Sequence, residues 1–191
     1  MDIFLETERL ILRRLTMDDL DNLVALDSDA AVMRFLTGGK PTPREVIEHE
    51  FLPRVFGYYK RYDGLGVWAA IERSTGDFIG WVSNRPVEGT PNEVELGYRL
   101  RQSAWGKGYA TEASRALIRK SFTELGAQCV VAHTMTVNRA SRRVMEKVGM
   151  TREAAFRRDV FQKGEWRDSY LYVRLAGKEA ANVAEAFEPD I

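Results

Sequence analysis

The sequence predicts a mixed α/β sheet with helices on its faces, and three observations point to it. Runs of strand character open and close the chain: ERLILRRL near the start, and the segments 152–161 and 166–175 near the end. Between them GVWAAIER, FIGWVSNRPV and EVELGYRL follow one another, the first two joined by the turn segment STGD, which reads as an antiparallel meander. From Ala110 the apolar spacing changes to the helical period; the β-rich run QCVVAHTMTV and a second amphipathic helix, NRASRRVMEKVGM, then follow. The predicted order is β-α-α-β-β-β-α-β-α-β-β, about seven strands.

In ERLILRRL, Leu10 and Leu12 alternate with Arg9 and Arg13, the pattern of an edge strand with one wet face. Thr16 suits the N-cap of a helix over TMDDLDNLVAL, and Asp18 and Asp19 favour its first turn through the helix dipole. After the Gly38-Gly39 break, TPREVIEHEFLPRVFGYYKRY has Thr42 as N-cap, Pro43 at the first helical position and Glu45 three residues beyond the cap. Pro53 should kink or divide that helix. In the next helix Ala113, Leu117, Ile118 and Leu125 share one face, and Gly126 ends it. Gly149 stops NRASRRVMEKVGM, and QKGE is the turn between the last two strands.

The chain has 191 residues, enough for one sizeable core and too few for two ordinary domains. Residues 1–176 are expected to form a single domain, with 177–191, an acidic, alanine-rich segment, as a helical or frayed tail. Lys plus Arg equal Asp plus Glu at 28 each, so no global field attracts a nucleic acid or an anionic membrane. One cysteine, Cys129, and two histidines, His49 and His133, exclude a disulfide framework and a Cys/His zinc cage. The start, MDIFLETERL, has no apolar signal region and no later run approaches a membrane span, so a cytoplasmic protein is expected.

The stretch RLRQSAWGKGYATEA carries the chemistry: a strand ends, a connection holds Gly106 and Gly108, and a helix begins near Tyr109 or Ala110. Two glycines permit close approach of a ligand, and the unsatisfied amides of a first helical turn point outward at the positive end of the dipole. A pyrophosphate fits such a place. By itself a Gly-x-Gly spacing is equally the mark of a tight loop before a helix, so its neighbours decide.

Those neighbours are EVELGYRL and NRASRRVMEKVGM. With WGKGYATEA they resemble the GCN5-related N-acetyltransferases (GNAT), in particular the ribosomal-protein RimJ/RimL-like branch, over nearly the whole chain from ERLILRRL to DSYLYVRL. The resemblance implies a GNAT fold, a mixed sheet splayed between its fourth and fifth strands, and acetyl transfer from acetyl-CoA to a primary amine without a covalent enzyme intermediate. The family pattern Q/R-x-x-G-x-G/A falls on Trp105 to Ala110: Gly108 and Ala110 match, and Trp105 departs from the Gln/Arg position. The implied pyrophosphate donors are the amides of Gly106, Lys107, Gly108, Tyr109, Ala110 and Thr111. The pantetheine arm is implied to lie along Tyr98, Arg99 and Leu100, with Asn138 near the cofactor. No metal is implied.

Glu95, three residues before Tyr98, is a candidate general base, because the attacking amine must be neutral. Read as pattern alone it is equally a solvated strand charge. The resemblance implies that a Ser or Tyr of the helix NRASRRVMEKVGM protonates the leaving thiolate, which makes Ser141, one turn beyond Asn138, the candidate acid, with Tyr98 and Tyr109 competing; read as pattern alone Ser141 is a small helix residue and Asn138 an N-cap. Arg139, Arg142 and Arg143 are mainly a solvated face, one of which reaches toward a CoA phosphate. Cys129 reads as a small buried hydrophobe, His49 as solvent-facing and the aromatics of residues 51–59 as packing, while the resemblance implies that residues 34–59 overhang the acceptor. The acceptor expected is a protein or peptide N-terminal α-amine. Alternatives are a polyamine, amino acid or aminoglycoside-type amine, or a non-catalytic acyl-CoA-binding module; the enzyme is expected to be a monomer or homodimer, with neither nucleic acid nor membrane as partner.

Overall fold

The computed structural model describes residues 2–177, so all of the expected tail but Gly177 lies outside the described residues. The strands are β1 (Ile3–Glu6), β2 (Leu10–Arg14), β3 (Gly66–Glu72), β4 (Phe78–Pro86), β5 (Glu93–Leu100), β6 (Cys129–Met135), β7 (Thr151–Gln162) and β8 (Glu165–Leu175). The helices are α1 (Leu20–Ser28), α2 (Arg44–Val46), α3 (Leu52–Arg61), α4 (Tyr109–Thr123) and α5 (Arg139–Lys147). They build one eight-stranded sheet in the order β1-β2-β3-β4-β5-β6-β8-β7. Among the described residues only β5 and β6 pair in parallel, with α4 as the crossover between them.

Two expectations change at the start of the chain. The sheet has eight strands, not about seven, because the short segment IFLE pairs antiparallel with β2. Hence β2 is not an edge strand: β1 covers one side and β3 the other. No Gly or Pro separates β1 from β2, and the turn is held instead by Thr7, whose Oγ1 accepts the Leu10 amide at 3.0 Å.

Thr16 is the cap expected of it. Its side chain and that of Asp19 close a capping box around the 3-10 turn Met17–Asp19, which leads into α1. The next cap is displaced by one residue: Pro43, not Thr42, occupies the N-cap of α2, and the Thr42 hydroxyl donates to Asp27 Oδ2 at 2.7 Å. Pro53 does not break the chain out of helical geometry: residues 44–61 stay helical, and the ladder shifts to a π turn just before it. It sits in the first turn of α3, where its missing N–H is tolerated, directly after a π turn over Ile47–Phe51.

Two cores sandwich the sheet. On one face Leu10, Leu12, Leu96, Leu100, Leu117, Ile118 and Met145 join β2 and β5 to α4 and α5. On the other, Leu23, Leu26, Ile47, Leu52, Val55 and Trp81 join α1, the π turn and α3 to β4. At about 1.5–3 kcal/mol for each fully buried large apolar side chain, these faces hold α4 and α5 on one side of β5 and α1 and α3 on the other. Among the described residues no helix is long and apolar enough to cross a membrane.

Candidate active site

The site grows from the unequal pairing of β5. Against β4 it is paired throughout, from Pro86↔Val94 to Gly80↔Leu100. Against β6 pairing covers only Glu93↔Cys129, Val94↔Val130 and Glu95↔Val131, although β6 runs on to Met135. Beyond Glu95 the two strands part, at the junction where the splay was expected.

Backbone alternation says which groups face that gap. The Arg101 amide donates to Ile79 and the Glu93 carbonyl accepts from Val87, so odd-numbered residues of β5 turn their backbone groups to the β4 side. Tyr98 and Leu100 therefore face the gap. Arg99, expected among the pantetheine contacts, does not: its backbone faces β4, and its side chain pairs with Asp27 at 2.5 Å on the α1 side of the sheet. The Leu100 carbonyl is itself taken by the Trp105 indole N–H at 2.9 Å. Trp105 thus ties the connection to the end of β5 although it departs from the family's Gln/Arg.

At one end of the gap lies the 102–108 connection. Gly106 and Gly108 have φ of +75° and +84°, a region that disfavours side chains, and Gly108 is the N-cap of α4. Trp105, Gly106, Lys107 and Gly108 are exposed. The first helical bond runs from the Glu112 amide to the Gly108 carbonyl, so the amides of Tyr109, Ala110 and Thr111 have no partner within the helix. Adjacent amides at the positive end of a fifteen-residue helix form a ready site for a diphosphate.

Across the gap stand Tyr98 and Ser141. The two hydroxyls are 2.9 Å apart, and Tyr98 Oη also lies 3.2 Å from the Ser141 carbonyl. Burial pushes the Tyr98 hydroxyl up to about 12, against a smaller lowering by its hydrogen bond to Ser141. It is a neutral donor at physiological pH. Ser141 is set by Asn138, the N-cap of α5, whose Oδ1 accepts the Ser141 amide at 3.2 Å.

Two candidates, Tyr109 and Glu95, lie away from the Tyr98–Ser141 pair. Tyr109 is buried with its hydroxyl donated to Glu72 on β3, away from Ser141, which removes it from competition for the acid role. Glu95 is ion-paired with Arg85, its cross-strand neighbour, at 2.8 Å, and both side chains remain about one-third exposed. It lies on the odd face of β5, opposite to Tyr98. His133 is exposed and parallel to Phe156, with ring centroids 6.5 Å apart; His49 is exposed as expected, and Cys129 is half-buried instead of fully buried. In the α5 cluster, Arg142 is turned back to the Thr136 carbonyl at 3.2 Å and Arg139 and Arg143 are exposed.

On the α1 face a cavity of about 150 Å³ adjoins Arg99, walled by Asp27, Thr42, Glu50, Phe51 and Trp81. The Arg99 guanidinium lies 5.1 Å from the Trp81 ring centre, and its Nε has no hydrogen-bond partner among the described residues. Asp27, Arg85 and Glu72 were not foreseen from sequence, because each acts through a partner distant along the chain.

A family model for the acetyltransferase (GNAT) domain matches residues 9–151. The chain belongs to the GNAT acetyltransferase family. Among relatives of this N-acetyltransferase, the FsC-acetyl coenzyme A-N(2)-transacetylase of Aspergillus fumigatus is 35% identical over 161 residues, 80% of this chain and 66% of that protein. Among solved structures, a GNAT-family acetyltransferase from Bacillus anthracis superposes with a TM-score of 0.78 at 27% identity, covering 92% of this chain and 98% of that one. RimL, a ribosomal L7/L12 alpha-N-protein acetyltransferase in complex with coenzyme A, superposes with a TM-score of 0.81 at 19% identity and the same coverage; it shares the fold.

Proposed function

We propose that this acetyltransferase moves the acetyl group of acetyl-CoA to an α-amine at a protein or peptide N-terminus, by direct attack on the thioester. The observation that carries the reading is the gap along β5, with an exposed amide-rich helix start at one end and the Tyr98–Ser141 pair across it. The residues fit the cofactor: its diphosphate needs donors, and residues 106–111 offer backbone amides free of helical bonding.

Acetyl-CoA supplies the activated acyl group. The amides of Gly106, Lys107, Gly108, Tyr109, Ala110 and Thr111 hold its diphosphate, and the Tyr98 and Leu100 amides receive the pantetheine arm. An N–H from this stretch of β5 polarises the thioester carbonyl. Ser141 donates its proton to the departing thiolate, the neutral Tyr98 hydroxyl holds Ser141 in place through their shared hydrogen bond, and the proton taken from the acceptor returns to Ser141 through solvent. Asn138 orients Ser141 through its amide. Glu95 draws the proton from the acceptor through water, and Arg85 fixes the direction of its carboxylate.

The α-amine is favoured by proton arithmetic. Such an amine, with a pKa near 8, is about a tenth neutral at pH 7, whereas a lysine side chain is well under a thousandth neutral. A single, partly exposed, ion-paired carboxylate suits the lighter task. A small-molecule amine is the second reading, favoured by the cavity of about 150 Å³ at Arg99, whose walls include the exposed Glu50 as a partner for a cationic amine. Peptides with a free N-terminus, the same peptides blocked at the N-terminus and offering lysine, and a panel of small amines, each scored by mass spectrometry, separate these. Faster acetylation of the free N-termini is expected; reaction confined to lysine or to small amines would overturn the α-amine assignment.

A further inference from the structure

The β1–β2 turn, far from residues 106–111 in sequence, is built against the start of α4. Thr7 Oγ1 and the Arg9 amide both donate to Glu112 Oε1, at 2.7 and 2.9 Å. Arg9 Nε and Nη2 reach Glu112 Oε2 at 2.7 and 2.6 Å, and Nη1 donates to the Lys107 carbonyl at 2.9 Å. The guanidinium also lies over the Tyr109 ring, 4.7 Å from its centre. One side chain thus grips the connection and the first turn of α4 together.

Two physical consequences follow. In a trans peptide the carbonyl and the following N–H point in opposite directions. With the Lys107 carbonyl drawn to Arg9, the Gly108 N–H is turned to the opposite side, outward from the clamp. The second consequence is electrostatic: Glu112 lies in the first turn of the helix whose N-terminus offers the anion site, and its bare carboxylate would repel a diphosphate there. Arg9 sets an opposite charge against it at contact distance.

We propose that Arg9 is a positioning residue for the cofactor diphosphate, holding the Lys107–Gly108 peptide in donor orientation and offsetting the charge of Glu112. This rests on the reading that residues 106–111 receive that diphosphate. Arg9 touches neither the thioester nor the acceptor, so its effect is confined to donors that carry a diphosphate.

The test compares acetyl-CoA with S-acetylpantetheine, which has the thioester and arm but no diphosphate. For Arg9→Met, the ratio of kcat/KM with acetyl-CoA to that with S-acetylpantetheine should fall about tenfold, through KM for acetyl-CoA, as expected for losing charge-assisted hydrogen bonds. Arg9→Lys should fall between, and Glu112→Gln in the Arg9→Met background should recover part of the ratio. Gly108→Val is the companion variant. If its ratio collapses while that of Arg9→Met is unchanged, the loop reading stands and the Arg9 assignment is wrong. If neither ratio moves, the loop reading itself fails. Equal losses with both donors for Arg9→Met would mean a general effect on the fold and would also overturn the assignment.

Discussion

The two edges of β5 share one sequence and meet opposite fates. On the β4 side Val94 to Leu100 all have cross-strand partners; on the β6 side the ladder ends at Glu95. Unpaired backbone in a folded interior is costly and is found where something else is meant to bind. On this reading the edge facing β4 is scaffold and the edge facing β6 is a template for an extended, amide-bearing ligand such as a pantetheine arm. The difference comes from the neighbours. Gly97 lies opposite Ser83 with no room for a side chain, since a Cβ there would meet Ser83 Oγ at 2.8 Å, so β4 and β5 close tightly. On the other side Tyr98 and Ser141 face each other, joining β5 to α5 instead of to β6.

The largest effect that breaks the comparison is expected at the end of the open edge. Gly108→Val puts a β-branched residue at φ +84° and a Cβ 3.4 Å from Arg9 Nη2, so acetyl-CoA affinity measured by calorimetry should fall about a hundredfold or more in a folded protein. Unchanged affinity would remove the loop from the site.

Next in size is the chemical step. Ser141→Ala should lower kcat about a hundredfold with little change in acetyl-CoA affinity, and Glu95→Gln should lower turnover mainly at low pH, where the acceptor is most protonated. Because Glu95 and Tyr98 lie on opposite faces of β5, these losses should be separable in the double variant. Near-normal turnover in both single variants would assign the proton transfers to other groups or to bulk water.

A smaller effect sharpens the account of Tyr98. Its folded-state value of about 12 stands above the ordinary value of about 10, so its neutral hydroxyl contributes stability that is complete below pH about 10. That contribution is lost as pH rises through about 12. Tyr98→Phe should therefore show a shallower alkaline loss of stability in denaturant titrations between these values. Tyr59, also raised by burial, retains part of the slope. An identical slope in both proteins would mean that Tyr98 is not buried as described.

The open edge was legible in sequence where function rests on backbone. Gly106, Gly108 and the change of period at Ala110 mark the helix start, and α4 begins at Tyr109 within the expected window. The order of elements follows from the periodicity and turns along the chain, and the splay beside EVELGYRL from the resemblance. What escaped depends on partners far apart along the chain. No local pattern in IFLE announces a strand, and β1 pairs through a turn without Gly or Pro. Thr42 satisfies Asp27 instead of its own helix, and Arg99 turns to Asp27, because a buried carboxylate demands partners more strongly than a helix start demands its cap. Side-chain pairing across the fold is invisible to spacing.

The central claim is that the gap along β5 and the start of α4 together receive acetyl-CoA, and amide hydrogen exchange with and without acetyl-CoA tests it most directly. Protection should rise in two segments, around Tyr98 to Leu100 and from Gly106 to Thr111, while the amides of β5 that already pair with β4 change little. Saturating acetyl-CoA that leaves both segments unprotected, or protects another surface instead, would contradict the claim.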